Sequence, residues 1–126
     1  MDEYDVIDFI YDAVSVSIPG VLVVKDRSES GVKVEHVVIN NITYVESDFT
    51  GKTPVNVNIF VPLNPNGTIK RQRMKELRRT VRKSIDAINS NDGNCRQVEV
   101  LWVEKMPELK EGFDCVNIRI NVLTDK

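Results

Sequence analysis

The sequence predicts a single α+β domain spanning residues 1–126, in the order αβββαββ, with a mostly antiparallel sheet and two helices packed on one face. Three observations carry this. Apolar residues recur at helical spacing near the start and again after residue 69. Several intervening segments instead alternate every second residue or are rich in β-branched side chains. The connections between successive strands are short, which favours antiparallel neighbours. A chain of 126 residues suits one core, and 41% hydrophobic with 29% charged residues is an ordinary globular composition.

The first helix is expected over residues 2–17. Ile7, Ile10, Tyr11, Val14 and Ile18 share one face, and Asp2, Asp5, Asp8 and Asp12 fall on the other. Phe9 is expected to project among those acids, where a ring gains little unless a partner covers it. Pro19-Gly20 stops the helix. Val21–Val24 is a short apolar strand, followed by a polar loop from Lys25 to Val32. Lys33–Val45 reads as a second strand, bent near Asn40-Asn41. Residues 46–53 show no periodicity.

From Pro54 to Val61 the alternation is clean: Val55, Val57, Ile59 and Val61 on one face, Asn56, Asn58 and Phe60 on the other. The run from Pro62 to Gly67 is a turn or loop. A second helix follows from about Ile69 to Asn89. Its stripe of Met74, Leu77, Val81, Ile85 and Ile88 is narrow and suited to packing on a sheet. Val98–Glu104 and Cys115–Leu123 complete the sheet as a hairpin. Val116, Ile118, Ile120 and Val122 oppose Asn117, Arg119 and Asn121 in the last strand, and Trp102 is expected in the core.

Charge is divided unevenly along the chain. The net charge is −2, yet eight of the 17 basic residues lie between Lys70 and Lys83, where Glu76 is the only acid. The remainder carries 9 basic against 18 acidic residues. On helical geometry Arg71, Lys75, Arg78 and Arg82 form a stripe roughly 16 Å long, with Arg79 and Lys83 beside it. Cations near Lys70, Arg71 and Arg73 also oppose the positive end of the helix dipole. Such a stripe predicts contact with an anion: nucleic-acid phosphates, or carboxylates of a neighbouring protein surface. The acidic face of the first helix, in another copy, is a second candidate, and that contact would be heterologous. The bland alternative is a solvated face.

No catalytic, cofactor or metal constellation is recognisable. His36 is the one histidine, lies in a β-rich run, and has no acid-base partner suggested by spacing. Gly-rich phosphate loops, HExxH, CxxC and GxSxG are absent. Cys95 and Cys115 are expected at equivalent ends of antiparallel partners, roughly 25 Å apart at about 3.3 Å per residue, so a disulfide is not expected. No apolar run approaches the ~20 residues needed to span a bilayer, and the acidic start lacks the features of a secretory signal. These observations predict a chain kept in a cytoplasm, without a membrane partner.

The run VLVVKDRSES, then KVEHVVINNIT, then PVNVNIFVPL and a long helix resembles the small tail-terminator or tail-completion (neck) proteins of long-tailed phages and prophages. The pairing of HVVINNI with VNVNIFVP is its most specific part, and the likeness covers about Asp5 to Ile88. The resemblance implies a non-enzymatic virion component that forms a homo-oligomeric ring, commonly a hexamer. Such a ring caps the tail tube and presents a surface to the head–tail connector; a head–tail joining protein is the close alternative. Tail-tube protein and connector would be its partners, in the host cytoplasm during assembly and then in the virion tail or neck. A nucleic-acid-binding module using Arg71, Lys75, Arg78, Arg79, Arg82 and Lys83 is the alternative, against which stands a pI of about 5.4.

Overall fold

The structure, a computed structural model, describes residues 3–27, 31–41, 52–88, 95–107 and 109–124. The elements run α1 (Glu3–Ser17), β1 (Leu22–Lys25), β2 (His36–Asn41), β3 (Lys52–Pro62), α2 (Arg71–Asp86), β4 (Cys95–Lys105) and β5 (Phe113–Thr124). This is the predicted αβββαββ order in a single α+β domain. The strands form one five-stranded sheet in the order β1-β2-β3-β5-β4. Three of the four pairings are antiparallel.

The exception is β1, which runs parallel to β2 with Leu22 opposite His36 and Lys25 opposite Ile39. The sheet is therefore mostly antiparallel, as predicted, with this pair as its parallel member. β2 thus begins beside the start of β1, so the chain reverses between the two strands. The reversal starts at Asp26, whose φ of 71° lies in the left-handed region, while its N–H donates to the Ile39 carbonyl at 2.8 Å.

Strand bounds differ from expectation where the neighbours, rather than local propensity, set them. β2 covers only the middle of the expected Lys33–Val45; residues 42–45 lie outside the described residues. β3 begins two residues before Pro54, which sits inside a central strand. Among the described residues β2 pairs with β3 from Val55 onward, and Pro54 lies opposite Asn121 of β5. β4 and β5 extend each other beyond both expected ends.

Both helices lie on one face of the sheet. Val6, Ile10 and Val14 of α1 and Met74, Leu77, Val81 and Ile85 of α2 join Val55, Val57, Ile59 and Val61 of β3 and Val116, Ile118, Ile120 and Val122 of β5 in one core. The predicted α2 stripe, Ile88 included, is buried in full. Phe9 corrects the expectation for α1: it is half-buried and packs against the core. Val6 extends the apolar stripe toward Phe9, so that face of the helix is wider than the Ile7–Ile18 spacing alone suggested.

The other sheet face carries no helix among the described residues, and polar contacts hold it together. The Asn117 amide donates to the Asn58 and Asn56 side-chain carbonyls at 2.7 and 2.9 Å, and Asn56 donates to Asn40 at 3.2 Å. Trp102 Nε1 donates to Asn117 Oδ1 at 2.9 Å, and the Arg119 guanidinium lies 4.2 Å over the Trp102 ring. Trp102 is thus not a core residue; it is 39% exposed on this open face. A β-bulge between Val100 and Trp102 is the cause, because the extra residue Leu101 reverses the in–out phase of the strand.

At the other end of this face His36 stacks on Phe60 with ring centroids 4.8 Å apart and meets Phe113 edge-on at 5.4 Å. Val38 and Cys115 complete the cluster with these phenylalanines, and Lys110 sits 5.0 Å over Phe113. Cys115 is unpaired in a buried site. The ladder sets Cys95 opposite Thr124, nine positions along β5 from Cys115 and so about 30 Å away, in line with the expected separation.

Candidate interface on the second helix

The groove begins where α2 begins. Gly67 takes a φ of 84°, closing the turn in which the Gly67 N–H donates to the Asn64 carbonyl at 2.8 Å. Lys70 stays non-helical at φ −80°, ψ 75°, so the helix starts at Arg71 rather than at Ile69. Lys70 makes no side-chain cap, and no acid occupies the first turn. The helix therefore opens on free N–H groups surrounded by cations, the arrangement its dipole least favours.

Some of those cations are neutralised within the chain. Arg73 Nε donates to both Glu35 oxygens at 2.8 and 3.1 Å, Nη2 bonds Glu35 again, and Nη1 reaches Glu76 at 3.4 Å. This forked pairing with Arg73 holds the Glu35 carboxyl below its ordinary range, with nearby Lys70 adding to the effect. Arg82 turns to Asp86, with Nε 3.1 Å from both oxygens. Arg82 shares the stripe that its spacing predicted but is paired, and Lys83 sits in the last turn, where its charge suits the dipole.

Arg71, Lys75, Arg78 and Arg79 remain, and the structure brings these four together. With Ile69, Gln72, Met74, Lys105, Asp114 and Val116 they line a groove of about 500 Å³ between α2 and the adjoining ends of β4 and β5. None of the four has an acidic partner among the described residues. Lys105 and Asp114 were not anticipated from the sequence. They flank the β4–β5 turn, and only the register of that hairpin sets them beside α2. Asp114 is 4% exposed; its Oδ1 lies 3.4 Å from Lys105 Nζ, and its Oδ2 has no hydrogen-bond partner among the described residues.

The expected acidic face of α1 is distributed differently. Asp8 pairs with Lys25 of the same chain at 2.6 Å, and this contact raises the pKa of that lysine, which also lies 4.7 Å over the Tyr11 ring. Asp5 is also engaged within the chain. Asp12 is exposed, Phe9 packs on the core, and Asp2 lies outside the described residues.

His36 is fully buried. Its Nδ1–H donates to the Val34 carbonyl at 2.8 Å, and desolvation lowers its pKa. Burial, with the charge of Asp114 adding to it, pushes the Cys115 thiol up to about 12. Among the described residues no group of three His, Cys, Asp or Glu is arranged to hold a metal, and no helix is long and apolar enough to cross a membrane.

No protein-family profile matches the chain, and no curated protein is similar to it. One similar solved structure, of a protein known by a sequence identifier rather than a described role, superposes with a TM-score of 0.52 at 12% identity. The match covers 98% of this chain and 92% of the other. Likeness at that identity shows the fold and nothing about the site.

Proposed function

We propose that this chain is a non-enzymatic structural protein of a phage or prophage tail or neck, acting as a homo-oligomeric ring that terminates the tail tube or joins it to the head. The observation that carries the reading is the groove beside α2, where Arg71, Lys75, Arg78 and Arg79 converge without acidic partners among the described residues. Uncompensated charge of one sign on an ordered helix costs stability, and an anionic protein surface relieves that cost. The sequence resemblance supplies the class of assembly and favours six copies, with tail-tube protein and head–tail connector as partners. Native mass spectrometry of the chain, alone and mixed with its tail-tube protein, tests this. The reading expects a closed oligomer in at least the mixture; a strict monomer that ignores the tube rules it out.

The same four cations favour a second reading, a nucleic-acid-binding module. A gel-shift titration at two salt concentrations separates the two. Phosphate binding would weaken with a log–log salt slope of about −0.9 per neutralised phosphate, and no shift at low salt removes the idea.

A further inference from the structure

Among the described residues the helical layer stops one strand short. α1 lies over β1, β2 and β3, and α2 over β3 and β5. Val98, Val100 and Val103 of β4 point into the same layer and touch the core, yet they remain only half-buried. Their neighbours across the ladder, Val122, Ile120 and Ile118, are fully buried. At the Lys105 end of β4, Arg71, Lys75, Arg78 and Arg79 of α2 share a groove with Lys105, Asp114 and Val116.

We propose that the trough over β4, beside α2, seats an acidic amphipathic helix of a partner protein. The dimensions fit such an occupant. Strands lie about 4.8 Å apart, so β4 is roughly 7 Å from the line midway between β3 and β5 that α2 follows. Packed helices sit 8–10 Å apart, so a helix laid along α2 rests on β4. The 16 residues of α2 offer it a wall about 24 Å long. Its apolar stripe would cover Val98, Val100 and Val103, and its acidic flank would meet Arg71, Lys75, Arg78 and Arg79.

Asp114 sets a limit at one end of α2, because its buried carboxylate makes that end unfavourable for a further anion. The same carboxylate and the valine floor disfavour a nucleic-acid backbone, which would bring phosphates toward Asp114 and leave the valines uncovered. The α1 helix of another copy is also a poor occupant, because Val6, Ile10 and Val14 already face its own core. The inference rests on α2 as a contact surface but does not require ring formation.

The test uses the full chain, 15N-labelled, and a panel of capped peptides of about 18 residues with a leucine stripe and a glutamate flank in different helical phases. At least one peptide should bind and shift the amides of Val98, Val100 and Val103 together with those of Lys75 and Arg79. The double variant Arg78→Glu/Arg79→Glu and a scrambled peptide of equal composition should each weaken binding by about tenfold or more.

The proposal is overturned if no peptide binds at about 1 mM, or if the scrambled peptide binds equally well. Shifts confined to α2 would overturn it too, as would tighter binding of a short DNA duplex at physiological salt. Native mass spectrometry on the same samples keeps the ring reading separate. A chain that seats the peptide yet never assembles retains this inference and loses the ring.

Discussion

The two faces of this one sheet are built by opposite means. Toward the helices β3 and β5 present Val55, Val57, Ile59, Val61, Val116, Ile118, Ile120 and Val122, all buried and apolar. That face is held by removal of hydrocarbon from water, which is non-directional and tolerates repacking. On the other face the same two strands present Asn56, Asn58, Asn117 and Arg119, which hold one another and Trp102 by directed hydrogen bonds. Asn58 and Asn117 are buried, with no helix above them among the described residues. A pleat that alternates valine or isoleucine with asparagine therefore specifies strand register twice. A one-residue slip would place amides in the core and also break the amide ladder.

The sharpest way to break the contrast is to put charge on the dry face. Leu77→Asp or Val81→Asp should unfold the domain, read as loss of amide dispersion and helical circular dichroism, because an unpaired carboxylate there is prohibitively costly. A folded Leu77→Asp protein would show that α2 is not integral to the core. Ile118→Ala should cost about 2–5 kcal/mol in chemical denaturation. Asn117→Ala is next, at about 1–3 kcal/mol, since it strands its partners Asn58 and Trp102. A neutral result would mean that water replaces the ladder.

Acid should probe the open face before the dry one. His36 is buried with a folded pKa below its ordinary 6.5, so the unfolded chain binds a proton more readily. Stability is then complete above about pH 6.5 and falls as pH drops toward the folded pKa; His36→Phe should remove that phase of a Tm-versus-pH curve. Glu35, also depressed, contributes above its ordinary value of 4.5 and loses that contribution as pH falls through its lower folded pKa. The smallest effect is expected outside both faces. Arg78→Glu/Arg79→Glu should leave denaturation unchanged within about 0.5 kcal/mol while weakening assembly; normal melting together with normal assembly would make the basic wall a solvated surface.

Much of this contrast is legible in the sequence because it is periodic. The 3, 4, 4, 3 spacing of Met74, Leu77, Val81, Ile85 and Ile88 marks the buried stripe of α2, and strict alternation separates the two faces of β3 and β5. What the sequence hid depends on pairing between distant segments. Trp102 follows Val98 and Val100 in phase, and only the bulge at Leu101 turns it outward. The parallel β1–β2 pair is a pairing of two separate strands, which local propensity does not encode. At the site, Arg71, Lys75, Arg78 and Arg79 could be read from helical geometry. Lys105 and Asp114 could not, because they reach α2 only through the β4–β5 register. Arg82 shares their helical stripe but lies outside the groove, paired with Asp86.

The bulges of β4 have a further consequence for solubility. β4 is an outer strand of 11 residues, with Leu101 and Trp102 both exposed. A flat strand of that length and composition would be a template for strand addition by other copies, the first step toward fibrils. Irregularities at Cys95/Gln97 and Val100/Trp102 interrupt its pleat, so no long uninterrupted ladder is on offer. Deleting Leu101 would restore a continuous register without moving Trp102 from Arg119. The deletion variant should fold, yet its light scattering should grow with concentration and time; a clear, stable solution would show that the bulge has no protective role.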